Sequence, residues 1–154
     1  MTRAAAETAE RAASSALERG WRVATAESLT AGSVASSLGA ASGASEWFAG
    51  GVVAYGTDVK KNVLGVTADT VVSAECAQQM AASVAQLLQA EAAVATTGAG
   101  GPDPQDGREP GTVFIAVRTP NTEVVAEHRF EGDPEAVVEQ TVEQALRLLA
   151  DHLG

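Results

Sequence analysis

Lysine is nearly missing from this chain: Lys60 and Lys61, side by side just after Tyr55, are its only two. Every other permanently basic side chain is an arginine, which keeps its proton in any protein environment, whereas lysine loses it when buried or crowded by a second cation. A lysine pair in an otherwise arginine-using chain marks either an amine that works as a base or the start of an exposed helix. Cysteine is rarer still. Cys76 stands alone, so no internal disulfide forms, and with only His128 and His152 as histidines no Cys/His cluster has metal-ligand spacing. No metal and no redox cofactor are expected. Aromatics are 4% of the residues against 45% apolar overall, so the core must be built from Ala, Val and Leu. No run of about 18 apolar residues offers a membrane span, and the N-terminus lacks the apolar centre of a signal peptide. The cytoplasm is the plain expectation, with no membrane partner. The net charge of −10 and the absence of any basic run argue against a nucleic-acid surface, which needs cations to displace phosphate counterions.

What is present reads as alternating elements of one domain spanning residues 1–154, with residues 1–20 as its N-terminal helix. The Ala/Glu/Arg pattern predicts a helix over Ala4–Leu17, stopped by Gly20. Trp21–Thr25 reads as a strand, Thr30–Leu38 as a helix and Trp47–Tyr55 as a Val/Gly/aromatic strand. Asp58–Leu64 reads as a short helix. Over Ser73–Leu88, Cys76, Met80, Val84 and Leu87 recur at helical spacing, which makes Cys76 and Met80 core side chains rather than reactive ones. Ala92–Thr97 is a strand, followed by a glycine- and proline-rich loop from Gly98 to Gly111. Thr112–Val117 and Glu123–Phe130 read as a hairpin. Pro134 opens a last helix whose Val138, Val142, Ala145, Leu149 and Leu153 share a face. The order predicts an α/β fold: a three-layer α/β/α sandwich around a mixed, mostly parallel sheet of about five strands.

Several of these segments end in chemically useful loops. Ser28 lies where a strand turns toward a helix. Unpaired amides there can hold an oxyanion, and a serine hydroxyl can attack a carbonyl if a base takes its proton. The same position suits an ordinary N-cap. Lys60 is the candidate base, with desolvation and the charge on Lys61 both favouring its neutral form. Tyr55, the only tyrosine, reads equally as a bridge between Ser28 and Lys60 or as a rim aromatic with its hydroxyl in water. The run from Thr97 to Pro102 follows a strand. Its amides can cradle a phosphate or carboxylate, or serve only as a tight turn. No G-x-S-x-G elbow and no G-x-x-x-x-G-K-[ST] loop occur.

Taken together, TAESLTAG (25–32), GGVVAYGTDVK (50–60), the VSxxCAxxMA pattern (72–81), TTGAGGP (96–102) and PGTVFIA (110–116) resemble the C-terminal domain of the competence/damage-inducible CinA family, of nicotinamide-nucleotide amidase type. The resemblance runs from about Trp21 to Leu149. It implies hydrolysis of nicotinamide mononucleotide to nicotinate mononucleotide and ammonia, with Ser28 as nucleophile and Lys60 and Tyr55 as its partners. It implies a small-molecule nucleotide as substrate; a homo-oligomer with a dimer favoured is expected, and the domain that precedes this one in full-length family members is not expected in these residues. Glu27, Thr30, Ala31, Gly32, Thr97, Gly98 and Gly100 are the expected substrate-binding positions, the amides of Thr30 to Gly32 holding the oxyanion and Glu27 either orienting the serine turn or simply favouring the helix start. The chain departs from the family pattern at Leu29, Ala31 and Thr57. It departs again in the tail, where the usual Gly-Asp-Arg and a second arginine four residues on are replaced by Pro134 and Val138. Neither residue replaces a guanidinium on phosphate, which leaves Arg108 and Arg129 as candidates to compensate. Two alternatives follow: an amidase for a different, unphosphorylated amide, and a non-catalytic binding or assembly module of the same family.

Overall fold

The computed structural model describes all residues, Met1–Gly154. Helix α1 (Arg3–Arg19) leads into strand β1 (Val23–Glu27), then α2 (Ser33–Gly39), α3 (Ala44–Trp47), β2 (Phe48–Val53), α4 (Thr57–Asn62), α5 (Ala74–Leu87), β3 (Ala92–Gly98), β4 (Thr112–Arg118), β5 (Glu123–Arg129) and α6 (Pro134–Leu153). The five strands form one sheet in the order β2-β1-β3-β4-β5. β1 is parallel to both β2 and β3, whereas β4 is antiparallel to β3 and to β5. The hairpin thus turns only β4 against the common direction, as the sequence predicts.

Alternation along the strands sorts the core into two layers, because successive side chains leave a strand on opposite faces. Val23, Val94, Val113, Ile115 and Val117 face α1, α2 and α6. Ala24, Ala26, Ala93, Ala95 and Ala116 face α5 and its Cys76, Met80 and Val84. The second face is almost all alanine, which fits α5 close to the sheet with few aromatics to fill space. Cys76 is fully buried in this layer. Burial pushes its thiol up to about 11, against the opposing effect of the nearby Lys60 charge. It stays protonated and inert at neutral pH.

Several expected boundaries move, two of them for a visible reason. Trp47 does not begin a strand. It closes the short helix α3, entered through left-handed Gly43, and its indole donates to the Ser42 carbonyl at 3.0 Å. The helix expected from Thr30 starts at Ser33, because Ala31 (φ 47°) and Gly32 (φ 97°) both adopt left-handed backbone and keep residues 28–32 as a turn. No helix is long and apolar enough to cross a membrane.

Candidate active site

The chain leaves β1 for β2 on one side, and β3 is added on the other. In an α/β sheet such a reversal leaves a crevice beyond the carboxyl ends of the strands. Three strand ends supply it here. Ser28 directly follows β1, and its amide extends the ladder by donating to the Thr96 carbonyl at 3.0 Å. Tyr55 follows β2, where the Ala54 amide donates to the Glu27 carbonyl at 2.8 Å. Gly98 ends β3, and Gly100 and Gly101 follow it. With Leu29, Asp103, Pro134 and Val138 they line a cleft of about 340 Å³, within the range of small-ligand sites. A larger, more open groove of about 680 Å³ runs between α5 and the β4–β5 turn past Gln79, Gln86 and Arg118. It holds no nucleophile beside a base, so the smaller cleft is the chemical candidate.

Glu27 holds the serine turn. Its carboxylate is 1% exposed and accepts from the Thr30 hydroxyl at 2.6 Å, the Val34 amide at 2.8 Å and the Ala35 amide at 3.0 Å. Thr30 spends its only hydroxyl proton on Glu27, so the 2.8 Å contact between Thr30 and Thr96 hydroxyls has Thr96 as donor. The network satisfies two of the otherwise unpaired amides at the start of α2 and fastens the turn to β3. It leaves Ser28 out. The Ser28 side chain is 7% exposed, and its hydroxyl has no protein partner, because the side-chain bonds of this turn all run through Glu27 and Thr30. The amides of Leu29, Thr30 and Gly32 also lack protein acceptors, whereas the Ala31 amide is taken by the Ser28 carbonyl at 3.0 Å.

Lys60 lies on α4 and is 1% exposed, an uncommon burial for an amine. Its ammonium donates to the Tyr55 backbone carbonyl at 2.9 Å. Burial lowers its pKa below the ordinary value, while the nearby Cys76 and Asp106 oppose that shift. Lys61 on the next helical position is exposed. Lys60 therefore fixes the backbone that carries Tyr55. The Tyr55 ring, 67% exposed, lines the cleft with Ser28.

Of the expected site residues, Ser28, Tyr55, Gly98 and Gly100 share the cleft, and Lys60 touches it through Tyr55. Glu27 and Thr30 bond each other instead of facing the cleft. Exposed Ala31 and half-buried Gly32 lie outside the lining, and the buried Thr97 hydroxyl donates to the Val71 carbonyl. Arg108 and Arg129 lie outside the cleft lining: Arg108 sits over the Phe114 ring at 5.3 Å, and Arg129 is 3.6 Å from Glu109. Asp106 carries no signal in the sequence. Its carboxylate takes the amides of Val71 and Val72 at 2.9 and 3.3 Å, tying the glycine-rich loop to the segment before α5. His128 stacks on Phe130 in edge strand β5, and burial lowers its pKa. No group of three or more His, Cys, Asp or Glu is arranged to hold a metal ion.

A family model described as the CinA C-terminal domain matches residues 5–153. A Bacillus subtilis strain 168 protein named for competence-damage induction is 45% identical over 120 residues, covering 75% of this chain and 29% of its own length. A CinA-like protein of Flavobacterium psychrophilum is 37% identical over 138 residues, covering 86% and 33%. The chain thus spans about a third of the length of the curated relatives it matches. Among solved structures, a CinA superfamily protein of Klebsiella pneumoniae superposes with a TM-score of 0.90 at 37% identity over 97% of both chains. One from Enterobacter cloacae reaches 0.93 at 31% identity, over 97% of this chain and 92% of its own.

Proposed function

Because the chain belongs to the CinA C-terminal domain family, we propose that it is a serine-dependent amidohydrolase that converts the carboxamide of an N-ribosylated pyridine, of the nicotinamide mononucleotide type, into the carboxylate and ammonia. One observation carries this reading: a nearly buried serine with an uncommitted hydroxyl, at a strand end, in a cleft of small-ligand size. An N-cap serine would have its hydroxyl on a helix amide, but at α2 that role belongs to Glu27.

In the proposed reaction the Ser28 Oγ attacks the carboxamide carbon, and its proton passes to neutral Lys60 by way of Tyr55, the residue through which Lys60 reaches the cleft. Desolvation of Lys60 raises the fraction of amine able to accept it. The developing oxyanion is met by backbone amides of the 28–32 turn, where Leu29 and Thr30 have donors to spare. The carbon–nitrogen bond then breaks, the amide nitrogen taking the proton back as it leaves as ammonia. Water attacks the resulting Ser28 ester, gives a proton to the same base and releases the acid. The proton returns to Ser28, so each cycle consumes one water and one amide. No step calls on a metal or a redox cofactor.

The test is ammonia release from nicotinamide mononucleotide and nicotinamide riboside by the wild type and Ser28→Ala. The reading requires turnover on at least one of them that falls by about 10³-fold or more without the nucleophile. Equal turnover in the two proteins would overturn it.

A further inference from the structure

We propose that the cleft selects phosphate-free N-ribosyl pyridinium carboxamides over their 5′-monophosphates, an inference that rests on the amidohydrolase reading above. The two ligand classes differ in sign. A pyridinium riboside is a net cation, whereas adding a phosphate makes a net anion at neutral pH. An anion needs donors or cations, and the cleft lining contains no lysine or arginine. Its one ionised side chain is the Asp103 carboxylate, which repels a phosphate and attracts a pyridinium.

The free amides of Leu29 and Thr30 serve the oxyanion in the reading above, and the start of α6 and the nearby cationic side chains are turned elsewhere. Helix α6 brings its N-terminus to the cleft, with Pro134 and Val138 in the lining. A helix start can hold an anion through free amides. Here the Asp133 side chain accepts from the Ala136 amide at 2.8 Å, Pro134 has no N–H, and Glu135 adds a second carboxylate to the first turn. The positive end of α6 is filled by the protein's own acids. Arg108 and Arg129 are engaged with Phe114 and Glu109. Lys60 is buried against the Tyr55 carbonyl and absent from the lining. The protein's charge of −10 adds a repulsive background to an approaching phosphate and an attractive one to a cation.

The experiment compares kcat/KM for ammonia release from nicotinamide riboside and nicotinamide mononucleotide. It uses the full chain, Val138→Arg, and Val138→Met as an uncharged control for bulk. Calorimetric binding of both ligands to Ser28→Ala runs alongside. The wild type is expected to favour the riboside by about tenfold or more in both readouts. Val138→Arg is expected to shift the ratio toward the monophosphate by a similar factor, in a salt-sensitive manner, and Val138→Met to leave the ratio where it was. Turnover that depends on Ser28 but favours the monophosphate overturns this selectivity while the amidohydrolase reading stands. Tighter riboside binding with no turnover of either ligand overturns the amidohydrolase reading while the selectivity stands. Equal or tighter binding of the monophosphate, or no binding of either ligand, overturns the selectivity.

Discussion

Removing the Glu27 carboxylate tests whether one buried acid shapes the serine turn. Glu27→Ala takes away the acceptor for the Val34 and Ala35 amides and for the Thr30 hydroxyl. Thr30 can rotate toward Thr96, 2.8 Å away, but the two backbone amides cannot reorient. Loss of a helix-start acceptor costs about 1 kcal/mol, and each buried amide left without a partner about 1–3 kcal/mol. Water entering the vacated space recovers part of this, so about 3 kcal/mol is the expected destabilisation. In a domain of this size that is a fall in Tm of about 6–12 °C. Glu27→Gln keeps the volume and one acceptor oxygen but turns an NH2 toward a backbone N–H, so its loss should lie between wild type and Glu27→Ala. Urea denaturation at constant m value separates the three proteins. The turn also carries Ser28, so carboxamide turnover should drop by about tenfold or more even where the variant is fully folded. Destabilisation of Glu27→Ala below about 1 kcal/mol, or Gln no better than Ala, would refute the network's role.

Lys60 gives a pH-dependent prediction with a definite sign. Burial lowers its pKa below 10.5, so between the lowered value and 10.5 the unfolded chain binds more protons than the folded one. Its contribution to stability therefore rises with pH across that window, and the full penalty of burying the ammonium is present below it. Lys60→Met should be at least as stable as wild type near pH 7, lack that rise in a series of urea midpoints, and lose turnover. A stability loss above about 2 kcal/mol at pH 7 would instead mean that the hydrogen bond from Lys60 to the Tyr55 carbonyl outweighs the cost of burying the ammonium. The wild-type kcat should climb as pH rises through the lowered value; a rate that falls over the same range contradicts a neutral-amine base. At Ala31, a left-handed φ of 47° costs an L-residue about 1–2 kcal/mol, of which glycine's greater unfolded-state freedom gives back about 0.4–1. Ala31→Gly should thus raise stability by about 0.5 kcal/mol, measured by thermal melting, and a loss of more than about 1 kcal/mol would mean the methyl makes a contact that outweighs the strain.

The fold was legible where period and composition act alone. Val113, Ile115 and Val117 alternate with Phe114 and Ala116, and that period of two assigns both faces of β4 without tertiary information. The order of strands and helices then leaves few topologies. Trp47 misled because an aromatic beside Phe48 and two valines reads as a strand, while the left-handed Gly43 that begins α3 has no distinct sequence mark. The turn at 28–32 was hidden for a related reason: alanine at 31 gives no hint of positive φ.

At the site, the short segments carrying Ser28, Tyr55 and the glycines after β3 were visible because each ends a strand. Burial of Lys60 was suggested only by the rarity of lysine. Glu27 was legible as a residue that could orient the serine turn, because its partners Thr30, Val34 and Ala35 lie close along the chain. Asp106, which ties down the glycine-rich loop, depends on the distant amides of Val71 and Val72, and no local pattern encodes it. Pro134 and Val138 stood out in the sequence as departures from the family. Only the packing of α6 against the cleft turns those departures into a wall without a cation.

The central claim is that Ser28 becomes covalently acylated during amide hydrolysis. Acid-quenched reactions with nicotinamide riboside and nicotinamide mononucleotide, followed by intact-mass and peptide-mass spectrometry, test it directly. A transient adduct of the acyl group is expected on the peptide containing Ser28, formed as ammonia appears and absent from Ser28→Ala. Steady ammonia release with no adduct on Ser28 at any quench time, or an adduct on another residue, would contradict it.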